Sequence, residues 1–204
     1  MEREEHPSPR RRRVTPPPTP IGTPAGIVGE DGVVRPAWAA TDEEMRRYHD
    51  EEWGRPVTDE RGMFEALSLE AFQAGLAWAT VLRKRAALRT AFLNFEPAKV
   101  AALTDQDVAR LKADPGLIRH EAKIRATISN AAATLALRAE GGLVELIHSF
   151  AVAPDPPTAG AAAEHRTRSP ESEALAAALR DRGFRFVGPT NMYALLQAVG
   201  LAPR

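Results

Sequence analysis

The sequence predicts an all-α fold, and three observations lead to that prediction. From Trp38 onward, apolar residues recur at helical spacing, as Met63, Phe64 and Leu67 do. Residues that start or stop helices bracket these segments. The longest run with the alternation of a β-strand covers only residues 185–187, which cannot build a sheet. With 204 residues, 44% of them apolar, the chain can form one domain with a sizeable core.

Capping residues and helical periodicity place the first three helices. Thr41 and Glu44 have the spacing of a capping box before a helix that carries Tyr48. Apolar residues at helical spacing predict a second helix over about residues 59–74 and a third over about 78–92. A glycine directly after the second helix is its expected stop.

Turn residues delimit the remaining helices. Proline, threonine and serine stand at the predicted first turns, and glycine follows several predicted C-termini. These signals predict six further helices, over about residues 97–103, 104–113, 119–139, a short segment ending near 150, 170–182 and 190–199.

The composition excludes several classes of protein. The chain has no cysteine, so it has neither a disulfide framework nor a zinc site built with thiolates. No apolar stretch approaches the length of a membrane span, and the charged, proline-rich N-terminus is not a secretory signal. The formal net charge is zero. That balance does not exclude a nucleic-acid partner, because a local basic face can bind phosphate.

Residues 111–124 predict two helices joined by a tight turn, similar to the helix-hairpin-helix motif of DNA-binding proteins. We expect Gly116 to adopt a backbone conformation that other residues resist. The turn would then direct free amides of the following helix at one phosphate, and Arg119, His120 and Lys123 can add positive charge. Such a contact reads the DNA backbone rather than the base sequence. An ordinary structural helix pair is the alternative interpretation.

Residues 1–36 are predicted to form a tail outside a domain of residues 37–204. A basic run at residues 10–13 precedes several prolines, and few residues there can join a core. The composition favours a disordered extension. A basic arm that contacts DNA is the alternative.

Four segments, in order, resemble the 3-methyladenine DNA glycosylase I family: residues 48–54 (YHDEEWG), 69–78 (LEAFQAGLAW), 118–124 (IRHEAKI) and 182–190 (RGFRFVGPT). Four motifs in order are far more specific than any one of them. The resemblance covers about residues 38–201 and implies a helix-hairpin-helix DNA glycosylase-like bundle. It also implies a monofunctional enzyme that hydrolyses the N-glycosidic bond of alkylated adenine and so starts base-excision repair. Its expected partner is double-stranded DNA with alkylated bases, and we expect a monomer in the cytoplasm of a bacterium-like cell.

The resemblance also implies roles for individual residues. Glu70 matches the pocket glutamate that hydrogen-bonds the damaged base, and Leu76 matches a residue near the gap left in the duplex. Ile118, which opens the third motif, joins the expected DNA contacts. Tyr48 and Trp78 match aromatic residues that stack on the base. Trp53 and Trp38 match aromatic residues that shape the pocket. Taken alone, a glutamate such as Glu70 is more often a paired buried carboxylate, and such aromatic residues more often belong to the core. The four motifs together favour a base-binding site instead.

The chemistry suits these residue types. Methylation at N3 makes adenine cationic and weakens its glycosidic bond, and the base must leave the stack to be read in a pocket. A cationic base gains about 0.5–2 kcal/mol from each aromatic face, and a carboxylate accepts a charge-assisted hydrogen bond from it. A leucine can wedge the stack behind the flipped base. We therefore expect simple hydrolysis by water, without a covalent lysine intermediate. Lys123 is expected to contact phosphate instead.

The chain departs from the family at its structural zinc. Many members bind zinc with a cysteine and a histidine from the N-terminal part and a second such pair from the C-terminus. Here only His49 remains, Pro36 stands at the N-terminal cysteine position, and the chain ends at Arg204 before the second pair. One imidazole cannot hold structural zinc. We expect no metal or other cofactor, and we expect Trp38 and the chain ends to be held less firmly.

Two alternative functions remain open. The departures at the zinc position are compatible with a catalytically weakened module that binds lesions without releasing them. Met45 differs from the residue expected in the family and leaves open a glycosylase for another alkylated base.

Overall fold

The computed structural model describes residues 26–40, 42–153 and 166–203. Within these ranges the chain forms nine α-helices and one small antiparallel β-hairpin, so the prediction of an all-α fold is confirmed. The helices, in order, are α1 (Glu43–Glu51), α2 (Glu60–Gln73), α3 (Trp78–Ala91), α4 (Pro97–Ala101), α5 (Asp105–Ala113), α6 (Glu121–Leu137), α7 (Leu143–His148), α8 (Pro170–Asp181) and α9 (Pro189–Ala198). Within the same residues, no helix is long and apolar enough to cross a membrane.

Side-chain caps start several helices where the sequence predicts them. Asp59 accepts a hydrogen bond from the amide of Gly62 at the start of α2, and Thr104 and Ser169 form capping boxes at α5 and α8. The cap of α1 differs from the prediction. Asp42, rather than Thr41, caps this helix, because its carboxylate accepts from the amide of Met45 at 2.8 Å. Thr41 itself lies outside the described residues.

Helix α2 lies at the centre of the main core. It packs against α3, α6, α7 and α9, and most of its residues are buried. The side chains of Met63, Phe64, Leu67 and Phe72 are fully buried. Glu70 lies on this buried helix, so its side chain is shielded from solvent.

A second, smaller core lies between α1 and the start of α3. Met45, Tyr48 and Leu82 are its buried residues. The three tryptophans of the chain, Trp38, Trp53 and Trp78, pack against them, and Trp78 also packs against the main core. Together with Tyr48, these tryptophans form an aromatic cluster next to α2, which we call the aromatic wall.

Residues 26–36, which the sequence analysis places in the tail, form the β-hairpin. Strand β1 (Ile27–Val28) pairs with β2 (Val34–Arg35) through Ile27 opposite Arg35 and Val28 opposite Val34. A 3₁₀ turn, Ala37–Ala40, then leads to α1 and carries Trp38. Residues 1–25, with the basic run, lie outside the described residues.

The run at residues 185–187 is not a strand. Phe186 has a positive φ of 59°, which a bulky side chain rarely adopts. Arg185, which precedes Phe186, is held by the buried side-chain amide of Asn130. The Asn130 oxygen accepts from the backbone amide of Arg185 at 2.8 Å, and the Asn130 nitrogen donates to the backbone carbonyl oxygen of Arg185 at 3.0 Å. A contact from α6 therefore overrides the local β preference of this segment.

Candidate active site

Glu70 is a buried acidic residue on α2 that forms no ion pair in the part of the chain that the structure describes. Its side chain is 4% exposed, and its Oε2 atom has no hydrogen-bond partner among the described residues. Burial raises its pKa to about 8. Five residues earlier, Glu65 is equally buried, but it accepts hydrogen bonds from three arginines. Glu65 is thus a structural ion-pair residue, whereas Glu70 has an acceptor atom available for a ligand.

Two aromatic residues belong to the same site: the charge of Glu70 acts on Tyr48, and Trp78 contacts Tyr48. Tyr48 on α1 and Trp78 at the start of α3 lie with their ring centroids 5.2 Å apart, tilted by 47°. Burial raises the pKa of Tyr48, and the negative charge of Glu70 raises it further, so the phenol stays neutral. The Nε1 atom of Trp78 is buried and also lacks a hydrogen-bond partner within the described ranges. The site therefore combines an unused acceptor and an unused donor with two ring faces.

The remaining predicted aromatics extend the same wall. Trp38 lies 6.4 Å from Tyr48 and 5.4 Å from Trp53, measured between ring centroids. His49 stacks on Trp53 at 5.4 Å and meets the edge of Trp38 at the same distance. The structure thus brings together all four predicted pocket aromatics. The sequence analysis considers His49 as the remaining zinc position of the family and does not predict its place in this wall.

Leu76 lies on the tight turn between α2 and α3, between the helices that carry Glu70 and Trp78. Gly75 precedes it with a φ of +78°, which favours glycine. The side chain of Leu76 is 40% exposed. This geometry suits a side chain that enters a duplex.

Helices α5 and α6 form the predicted hairpin, but its turn differs from the prediction. Gly116 does not adopt a positive φ. Its amide instead donates to Oδ1 of Asp114 at 2.7 Å, and the ammonium of Lys84 binds its carbonyl oxygen at 2.9 Å. The expected conformational role of Gly116 is therefore wrong, because an aspartate side chain and a lysine from α3 stabilise the turn. Lys84 is a residue that the sequence analysis misses.

The charged end of the hairpin is accessible. Helix α6 begins at Glu121, two residues later than predicted, so Arg119 and His120 lie in the turn and are exposed. His120 is the N-cap and makes no side-chain cap hydrogen bond, and its ring meets the edge of Phe186 at 6.3 Å. Ile118 is partly buried and packs against the main core. Ile118 thus anchors the turn, while Arg119 and His120 face solvent.

The phosphate contact expected of Lys123 is wrong. Its side chain is 4% exposed, and its ammonium donates to the carbonyl oxygens of Phe72 at 2.8 Å and Ala74 at 2.6 Å. These carbonyls belong to the C-terminal end of α2, whose last acceptors have no partner within the helix. Lys123 therefore caps the helix that carries Glu70.

The described residues do not fit the structural zinc centre that the family resemblance suggests. The chain has no cysteine, and the Nδ1 atom of His49 lies 2.9 Å from Oδ1 of Asp50. Within the described ranges, no three histidine, aspartate or glutamate side chains form a group that can hold a metal ion. His49 instead contacts Asp50, Trp38 and Trp53.

Comparisons with known proteins agree with this architecture. The sequence profile of the methyladenine glycosylase family matches residues 38–203. The chain is 45% identical to DNA-3-methyladenine glycosylase 1 of Escherichia coli K12 over 169 residues, which cover 82% of this chain and 90% of the relative. It is 42% identical to DNA-3-methyladenine glycosylase of Haemophilus influenzae over 159 residues, 76% and 84% of the two chains.

A solved structure shows the same fold. The 3-methyladenine DNA glycosylase I of Staphylococcus aureus, determined to explain how it recognises 3-methyladenine, superimposes with a TM-score of 0.75 at 34% identity. The alignment covers 81% of this chain and 89% of that structure. The sequence profile, the two bacterial relatives and the shared fold establish that this chain belongs to the methyladenine glycosylase family.

Proposed function

We propose that this protein is a DNA-3-methyladenine glycosylase that hydrolyses the bond between the alkylated base and deoxyribose. The observation that carries the proposal is the buried Oε2 atom of Glu70, which has no hydrogen-bond partner among the described residues. The charge of Glu70 acts on Tyr48, and the ring of Tyr48 contacts that of Trp78. Relatives with 42–45% identity are DNA-3-methyladenine glycosylases. The Staphylococcus aureus relative recognises 3-methyladenine.

The site favours a cationic base over a neutral one. In the free protein, the pKa of Glu70 of about 8 keeps its carboxyl group largely protonated at neutral pH. A positively charged base beside it stabilises the carboxylate, which then accepts a charge-assisted hydrogen bond. The faces of Tyr48 and Trp78 add cation–π attraction. Undamaged adenine is neutral and gains neither contribution.

The reaction needs little acid catalysis, because the lesion already carries positive charge. Water adds its oxygen to C1′ of deoxyribose, the C1′–N9 bond breaks, and its electron pair neutralises the departing base. The proton of the water molecule goes to solvent or to the ionised Glu70. Lys123 donates its protons to two helix carbonyls and is not placed as a free amine nucleophile. We therefore propose hydrolysis without a covalent enzyme intermediate.

We further propose that the substrate is double-stranded DNA and that the protein acts as a monomer in the cytoplasm. The exposed Arg119 and His120 support a phosphate contact next to the free amides at the start of α6. The exposed Leu76 supports insertion into the gap that the flipped base leaves. A monomer is sufficient because one chain supplies the carboxylate, the aromatic wall and the hairpin.

Release of free bases from methylated duplex DNA tests the proposal. We expect the wild type to release 3-methyladenine, Glu70→Ala to lose most of this activity, and the exposed Glu173→Gln control to retain it. Binding of the DNA without release would favour the lesion-binding module. Release of a different alkylated base by the wild type would favour a glycosylase with another substrate. Either result would overturn the proposed function.

A further inference from the structure

A buried guanidinium joins the β-hairpin to α1. The side chain of Arg35 on β2 is only 5% exposed. Its Nε atom donates to both carboxylate oxygens of Asp50, at 2.9 and 3.0 Å, and Nη2 donates to Oδ2 of Asp50 at 2.6 Å. Nη1 and Nη2 also donate to the two oxygens of Asp31, at 2.9 and 2.6 Å. All three guanidinium nitrogens are therefore used, in the fork geometry that lysine cannot supply.

The two aspartates belong to different parts of the chain. Asp31 lies in the turn of the β-hairpin, whereas Asp50 lies in the last turn of α1. The Nδ1 atom of His49 is 2.9 Å from the same Asp50 oxygen that binds Arg35, and Arg55 donates to the Asp50 carbonyl oxygen at 2.8 Å. Arg35 thus fixes the hairpin to the C-terminal end of α1.

This ion-pair cluster is connected to the aromatic wall on two sides. Trp38 follows Arg35 by three residues, on the 3₁₀ turn that leaves β2. On the other side, His49 stacks on Trp53 and meets the edge of Trp38. Arg35 is therefore linked to the wall in two ways: through the chain that leads to Trp38 and, through Asp50, to His49.

We propose that Arg35 is a positioning residue of the base pocket: its ion pairs with Asp31 and Asp50 hold Trp38 and His49 against Trp53. The proposal rests on the proposed function, because it assigns this cluster to the pocket for the alkylated base. The cluster also stands where the family resemblance expects a metal to tie down the N-terminal segment, and the residues here do not fit that metal. Buried charges with satisfied hydrogen bonds provide the attachment instead.

The tryptophans allow a direct test. All three lie in the aromatic wall, so the tryptophan emission of the full chain, excited selectively, reports on this region. Three variants are compared with the wild type: Arg35→Met, which keeps the apolar stem without the charge, Arg35→Lys, and Arg138→Met as a control. Arg138 is an exposed arginine whose ion pair with Glu60 lies outside the wall. Binding of free 3-methyladenine is followed by fluorescence, and helix content by circular dichroism.

We expect Arg35→Met to shift tryptophan emission to longer wavelength and to weaken binding of free 3-methyladenine about tenfold or more, at unchanged helix content. Arg35→Lys should fall between Arg35→Met and wild type, and Arg138→Met should match wild type. The apparent KM for methylated DNA should rise more than the maximal rate falls. Wild-type emission and affinity in Arg35→Met would overturn the proposal. A wild type that neither binds nor releases 3-methyladenine would instead overturn the proposed function.

Two further variants keep the test decisive if Arg35→Met does not fold. Asp50→Asn weakens the attachment to α1, and Asp31→Asn weakens only the attachment within the hairpin. We expect the same emission shift in both, larger in Asp50→Asn because this residue also contacts His49. Equal affinity for 3-methyladenine in both variants and in wild type would refute a positioning role for the cluster.

Discussion

The side-chain amide of Asn191 donates a hydrogen bond to the backbone carbonyl oxygen of Glu70, with 2.7 Å between nitrogen and oxygen. The two residues are 121 positions apart in sequence, and the bond joins the first turn of α9 to the last turns of α2. It therefore fixes the backbone of the carboxylate residue itself. The motif of residues 182–190, which ends just before Asn191, leads directly into this contact.

Removing this hydrogen bond should reduce catalysis more than stability. We expect Asn191→Ala to lower the free energy of unfolding by about 1 kcal/mol, the usual contribution of one such bond. The rate of 3-methyladenine release should fall about tenfold, because small displacements of a site group have large effects on rate. Denaturant unfolding and single-turnover base release measure the two effects. An unchanged release rate would mean that the backbone at Glu70 needs no support from α9.

The buried Glu70 should make stability depend on pH. Its pKa is raised to about 8, so between about pH 4.5 and 8 the folded protein holds a proton that the unfolded chain has lost. The free energy of unfolding therefore falls as pH rises through this window. Glu70→Gln carries no charge at any pH and lacks this loss. Between pH 5 and 9 the variant should gain roughly 3–5 kcal/mol relative to wild type.

Denaturant unfolding of both proteins at several pH values tests this expectation. Glu173→Gln, at an exposed position of α8, is the control and should follow the wild-type curve. Parallel curves for Glu70→Gln and wild type would show that the carboxyl group titrates near its ordinary pKa, which contradicts its burial without a partner.

Lys123 should contribute to stability rather than to DNA affinity. Lys123→Met removes the donor to the last carbonyls of α2, and bonds from a charged donor contribute about 1.5–3 kcal/mol each. Because two such bonds are lost, we expect the free energy of unfolding to fall by roughly 3 kcal/mol or more. The affinity for undamaged duplex DNA and its dependence on salt should stay unchanged.

Arg119→Ala provides the matched contrast on the same hairpin. Arg119 is exposed, so its removal should leave the free energy of unfolding within about 0.5 kcal/mol of wild type. It should weaken duplex binding and reduce the slope of log affinity against log salt by about 1, as the loss of one phosphate contact does. Equal salt slopes for Arg119→Ala and wild type would remove Arg119 from the DNA interface.

Leu76 should affect the release of 3-methyladenine from duplex DNA but not from single-stranded DNA. Its side chain is 40% exposed, so Leu76→Ala should change the free energy of unfolding little. We expect slower release of 3-methyladenine from methylated duplex, because the gap behind the flipped base is left unfilled, and unchanged binding of the free base. Comparison of duplex with single-stranded methylated DNA separates the two effects, since single strands need no wedge. A similar loss on both substrates would assign Leu76 to the pocket instead.

Short-range signals in the sequence determined much of this protein. Caps such as Asp59, Thr104 and Ser169 act within three residues of the helix starts that they stabilise, so a local pattern is sufficient to locate them. The motif resemblance likewise selected Glu70 and the four aromatics that the structure brings together.

Only the tertiary structure decided how several of these side chains are used. Lys123 is directed at carbonyls about fifty positions earlier, and Arg35 is directed at an aspartate fifteen positions later. In a local pattern, a lysine near a helix N-terminus indicates a phosphate contact, and an arginine in a proline-rich tail indicates a solvated charge. Packing changes both, because a buried charge must find hydrogen-bond partners wherever the fold provides them. The residues proposed for the pocket could thus be named from the sequence, whereas the contacts that hold them in place depend on distances that only the folded chain defines.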